Sequence, residues 1–188
     1  GVGIDLDFKL IAIGMIVGSI LGATFAMRVE MTQMPQMVAI FNGFGGGASA
    51  LVATAEFFSK YGTLEQTAFL NTTIILSVFI GTLTLTGSFI AFGKLQGFIS
   101  GQPIVFKGQQ IFNAIIMISI ITFGVFTVTS GANEMNAFYV VIALSALIGI
   151  TLTIPIGGAD MPVVISMLNS YSGIAASATG FVLMNNGL

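Results

Sequence analysis

The chain has no cysteine and no histidine. Without cysteine there is no disulfide and no thiolate metal site. Without histidine it lacks the side chain that titrates near neutral pH. Charge is scarce as well: 6% of its 188 residues are charged, against about 25% in soluble domains. The net charge of −2 gives no nucleic-acid signal. No Ser-His-Asp set, metal cluster or phosphate loop is present. On its own the chain therefore has no machinery for covalent or redox chemistry.

What it does have is apolar length. The chain is 55% hydrophobic, with a mean hydropathy of +1.03. Six runs approach the ~20 residues that a bilayer crossing needs: about Phe8–Met27, Pro35–Phe58, Asn71–Phe92, Ile111–Thr129, Ala137–Ile156 and Pro162–Met184. The expected fold class is all-α: a polytopic membrane helix bundle of six transmembrane helices, forming a single domain over residues 1–188. The longest connection, GKLQGFISGQPIVFKGQQ, carries Gly and Pro that argue against a further helix. The chain opens on Gly without a cleavage-type flank and stops at Asn185-Asn186-Gly187-Leu188, so it reads as an excised piece. Arg28, Lys94 and Lys107 fall on one side of such a bundle. Lys9 and Lys60 fall on the other, with Asp5, Asp7, Glu56, Glu65 and Glu134. The positive-inside bias places the Arg28 side in the cytoplasm, with both chain ends opposite.

Two stretches are twins. MPQMVAIFNGFGG and MPVVISMLNSYSG each run Met-Pro, six residues, then Asn, so Asn42 and Asn169 stand seven positions past Pro35 and Pro162. Proline suits the first turn of a helix, where its missing N–H is not needed. Seven residues rise roughly 10 Å. Both amides are thus expected at matched depth, entered from the cytoplasmic side.

Small and polar residues recur at spacings of 3 and 4 on three spans. These stripes are Ala39, Asn42, Gly46, Ser49, Ala53 and Glu56; then Thr73, Ser77, Gly81, Thr84, Ser88 and Ala91; then Ser166, Asn169 or Ser170, Gly173, Ser177 and Gly180. Each occupies one helix face. An unpaired amide or hydroxyl in hydrocarbon costs several kcal/mol, so the three faces are expected to meet one another or trapped water. Ordinary interhelical hydrogen bonding is the plain alternative to a hydrated path. Gly14, Gly18 and Gly22 in the first span form a small-residue face suited to helix packing. GFGGGA at Gly43–Ala48 matches a dinucleotide-binding pattern only formally, because it lies inside a membrane span with no preceding strand. Asp160 precedes Pro162 and reads as a helix cap, as a carboxylate at the cytoplasmic mouth, or as both. Arg28 and Glu30 admit the same pair of readings. Glu56 sits near the far surface.

Three strings carry a family resemblance: RVEMTQMPQMVAIFN, LTGSFIAFGKLQG and GGADMPVVISMLNSYSG. The chain resembles the membrane domain of the beta subunit of proton-translocating NAD(P) transhydrogenase. That resemblance implies a proton-conducting domain of an enzyme that moves hydride between NADH and NADP in soluble domains. NAD and NADP would bind there and not to this piece. It implies an alpha-type partner subunit, an NADP-binding domain, a homodimer of assemblies, a lipid environment and no nucleic acid, in the bacterial inner membrane. It assigns Ser88 and Asn169 to the proton path and maps Asp160 to the cytoplasmic mouth that the soluble domain contacts. Asn42, on the polar stripe of its own span, is expected on the same path, and Arg28 and Glu30 are expected to couple with the soluble domain beside Asp160. Ser49, Glu56, Ser77, Thr84, Ser166 and Ser170 are expected as pathway lining. Asn42 stands where many relatives carry histidine, which in such members is placed on a partner-subunit helix. The competing functions are a secondary transporter for a small polar solute and a purely structural anchor.

Overall fold

The computed structural model describes residues 8–62, 67–130 and 135–184. They form six α-helices: α1 (Phe8–Arg28), α2 (Met34–Lys60), α3 (Ala68–Leu95), α4 (Gln109–Thr129), α5 (Met135–Thr153) and α6 (Met161–Val182). Asp5, Asp7, Glu65, Glu134 and residues 185–188 lie outside the described residues. The fold is all-α, with five helices long and apolar enough to cross a membrane. The sixth, α6, has the length at 22 residues. It is less apolar because it carries Ser166, Asn169, Ser170, Ser172, Ser177 and Thr179. α5 stops at Thr153, short of the expected Ile156. Pro155 explains this, since the residue before a proline is pushed out of the helical region.

Both proline-entered helices begin the same way. A 3₁₀ turn at Met31–Gln33 leads into α2, and another at Gly158–Asp160 leads into α6. In each helix the proline occupies the first turn.

The bundle is organised around α3, which packs against α2, α4, α5 and α6. Between membrane helices there is little hydrophobic drive, so close packing and hydrogen bonds hold the contact. Glycine allows the closest approach. A Cβ on Gly46 would lie 2.9 Å from the Gly81 carbonyl oxygen, and one on Gly81 would lie 2.5 Å from the Gly46 oxygen. The two backbones touch there. Toward the Lys60 end, α2 and α5 are joined by stacked Phe57 and Phe138, with ring centroids 3.9 Å apart.

α1 departs from expectation. It has no buried residue. Among the described residues nothing lies within 4 Å of a Cβ added at Gly14, Gly18 or Gly22, so the expected packing face meets no neighbour. Phe25 reaches the bundle by an edge-to-face contact with Phe41 at 6.5 Å.

The two kinds of glycine behave oppositely on substitution. Gly81→Ala forces α2 and α3 apart and costs about 1–3 kcal/mol. Gly14→Ala changes stability by no more than about 0.5 kcal/mol. Unfolding of the two variants in detergent, followed by circular dichroism, measures the difference.

Candidate functional site

The buried face of α2 includes Ala39, Asn42, Gly46, Ser49 and Ala53. That of α3 includes Thr73, Ser77, Gly81, Thr84, Ser88 and Ala91. The two faces oppose each other. Asn42 Nδ2 donates to Ser88 Oγ at 3.0 Å. On its other side Asn42 Oδ1 lies 2.7 Å from Ser172 Oγ, and that hydroxyl also lies 2.8 Å from the Asn169 carbonyl oxygen. A serine hydroxyl has one proton, so Ser172 can serve either acceptor by rotating. The amide thus links all three helices, from α3 through α2 to α6.

Farther from the Met-Pro ends lies a second polar cluster. Ser77 Oγ and Thr179 Oγ1 are 2.6 Å apart, joining α3 to α6. Both approach the Ser49 carbonyl oxygen of α2, at 3.3 and 3.4 Å. Ser49 turns its own hydroxyl back to the Gly45 carbonyl. Between the clusters stands Thr84. It is fully buried, and no protein group partners its Oγ1. Such an orphan costs about 1–3 kcal/mol in a dry interior. Thr84 lies beside the Gly46–Gly81 contact. The seam is therefore polar above and below, and closed in the middle.

Most of the α6 stripe faces outward, and only its last member, Gly180, is buried. Ser166, Asn169, Ser170, Gly173 and Ser177 are exposed. Met161, Val164, Ile165, Leu168, Ala175, Thr179 and Val182 are buried instead. The physical reason is apolar burial: α6 presents its aliphatic face to α3 and α2. The expected meeting of three stripes therefore holds for α2 and α3, and α6 contributes Ser172 and Thr179 in place of Asn169. Asn169 borders a groove of about 400 Å³ lined by Met34, Pro35, Val38, Pro162, Ile165 and Ser166. Both prolines of the twin motifs flank that groove.

At the Met-Pro end, Arg28, Glu30 and Asp160 are exposed. Asp160 occupies the N-cap position of α6 but makes no side-chain capping bond. Glu30 makes none at its 3₁₀ turn either. Capping does not account for either carboxylate. At the opposite end Glu56 pairs with Lys60 at 3.1 Å, one turn apart.

A model of the NAD(P) transhydrogenase beta subunit family matches residues 2–188. The chain belongs to that family. NAD(P) transhydrogenase subunit beta of Rhodospirillum rubrum is 41% identical over 183 residues, covering 95% of this chain and 39% of that protein. A sequence from a named strain of the same species gives the same figures. The chain spans about 39% of the length of the curated relatives it matches. In this family member, an asparagine that joins three helices holds the inward position of the first twin motif. The second twin turns its asparagine to the bundle surface.

Ser172 and Thr179 escaped sequence reasoning because serine, threonine and alanine recur all round α6. Their signal was the aliphatic residues on the same face: Leu168, Ala175 and Val182 stand 4, 3 and 3 positions from the nearer hydroxyl.

A double-mutant cycle in the folded chain separates the two asparagines. Asn42→Leu with Ser88→Ala should give a coupling of roughly 0.6–1.7 kcal/mol. Asn169→Leu with Ser88→Ala should be additive within about 0.5 kcal/mol. Unfolding in mixed micelles is the measurement.

Proposed function

We propose that these helices are the proton-conducting core of a proton-translocating NAD(P) transhydrogenase. Proton passage through them is coupled to hydride transfer between NADH and NADP in soluble domains. An alpha-type subunit and an NADP-binding domain complete the assembly, as a homodimer of assemblies in a bacterial inner membrane. Family membership supports this reading. The single observation that carries the mechanism is the Ser88–Asn42–Ser172 bridge across three helices of the bundle.

The side chains in the seam are amides and hydroxyls. None of them gains or loses a proton near neutral pH. The proton therefore travels on water that these groups orient. In the closed form the Gly46–Gly81 contact interrupts the path, and Thr84 Oγ1 is the polar group poised at the break. Parting α2 from α3 by about one water diameter would give Thr84 a partner and join the two clusters, offsetting the orphan's cost. Asn169 and Ser166 line the outer groove at the Met-Pro end. A titrating histidine on a partner-subunit helix seated in that groove would stand one turn from Ser172. Arg28, Glu30 and Asp160, exposed at the same end, are the groups that a soluble domain would engage.

A solute transporter needs a charge or a polar cavity at mid-depth to bind its cargo. The seam at mid-depth is instead a backbone contact between two glycines, which favours protons on water over a solute.

The complete enzyme, reconstituted in vesicles, tests this directly. Asn42→Leu should lower proton translocation about 10-fold or more, and Asn169→Leu should lower it by a similar factor. Normal pumping by either variant removes that residue from the path.

A further inference from the structure

Lys94 is the one buried charge among the described residues, with 4% of its surface exposed. It lies in the last turn of α3. Its ammonium group donates to three backbone carbonyls: Gln102 at 3.0 Å, Ile154 at 2.7 Å and Ile156 at 2.8 Å. All three of its N–H groups are used. No salt bridge reaches it among the described residues. The cation is held by the carbonyl end of α5, where the helix dipole favours positive charge, and by the α3–α4 connection.

These acceptors come from two separate segments. Gln102 belongs to the connection after α3. Ile154 and Ile156 belong to the linker that runs from α5 through Gly157–Asp160 into α6. Two backbone bonds run beside the ammonium, Gly158 N to Gly101 O at 2.8 Å and Ile104 N to Ile154 O at 3.3 Å. Another, Ile99 N to Gly93 O at 3.0 Å, folds the connection back on α3. The end of α3 and the linker into α6 are thus joined by one side chain and by the two backbone bonds beside it.

Ser88 stands six residues from Lys94 on α3, roughly 9 Å along the axis. Ser172 stands on the helix that the pinned linker feeds. Both flank Asn42. We propose that Lys94 is a positioning residue. It sets the register of α3 against α6, and so the alignment of Ser88 and Ser172 across Asn42. Through it, a displacement of the Asp160 linker passes to the polar seam. The inference rests on the conducting role proposed above for that seam.

The choice of a buried lysine fits this role. Three carbonyls give the ammonium geometry without fixing it to a countercharge. Its three bonds go to two segments at once, so a shift of the linker carries the ammonium, and with it the end of α3.

The test uses the complete enzyme in vesicles, reading protons moved per hydride transferred alongside the hydride-transfer rate in detergent. Lys94→Met should lower the proton-to-hydride ratio about five-fold or more, with the detergent rate changed by less than about two-fold. Lys94→Arg, which keeps the charge and the donors, should restore at least about half of the ratio. Gly101→Cys with Gly158→Cys in the Lys94→Met background supplies a switch within one folded protein. These positions already share a backbone hydrogen bond. Oxidation should raise the ratio and reduction should lower it again. An unchanged ratio in Lys94→Met overturns the proposal. So does a parallel fall of ratio and detergent rate that oxidation of the cysteine pair does not reverse. Ser88→Ala is run beside them: if it also leaves pumping intact, the conducting seam itself is at fault and not the pin.

Discussion

A polar group inside an apolar bundle has to be satisfied from within the bundle. That constraint governs this structure. Asn42 has one acceptor oxygen and a donor amide, and both are used on different neighbours: Ser88 of α3 and Ser172 of α6. An aliphatic residue at position 42 would permit α2 to rotate or slide. The amide permits one arrangement. The Gly46–Gly81 contact one turn farther along fixes the spacing of the same helix pair, so polarity sets the rotation and glycine sets the distance.

The same seam contains its own weakness. Thr84 is buried without a partner next to the tightest contact in the α2–α3 interface. A dry closed form carries the cost of that hydroxyl, and a wetter form relieves it while losing dispersion contact between the helices. Two states separated by opposing terms of a few kcal/mol can be biased by events at the surface. The Met-Pro end supplies the means. There Asp160 is exposed, makes no capping bond and is carried on a linker whose carbonyls hold Lys94. In the positioning role proposed for Lys94, a load applied to that linker reaches α3 and α6 together.

Much of the scaffold was legible in the residues. Helix spans follow from apolar length, and the starts of α2 and α6 follow from proline chemistry. The α2 and α3 stripes were legible because their other faces are bulky: Phe44, Leu51, Leu76 and Phe89 leave small residues only one way to turn. α6 was not legible in that way. Small and polar residues surround it, so spacing alone pointed at Asn169, whereas burial of Leu168 and Val182 turned Ser172 and Thr179 inward. The partnership of Lys94 was invisible for a different reason. Its acceptors are backbone carbonyls, which every residue possesses, and sequence marks none of them. The glycine face of α1 misled because a packing motif states what a helix can meet and not where its partner lies.

The central claim is that water enters the seam between α2, α3 and α6. This chain has no cysteine, so a cysteine introduced into it is the one thiol of this chain when it is read in the complete enzyme. A thiol reacts as thiolate, which requires water. Ser88→Cys and Thr84→Cys lie on the seam, and Val78→Cys lies in the apolar core on the same helix. The measurement is the rate of labelling by a small water-soluble thiol reagent, at rest and during turnover. The account predicts labelling at positions 88 and 84 during turnover alone, and protection at position 78 throughout. Equal protection of all three cysteines during turnover would contradict it.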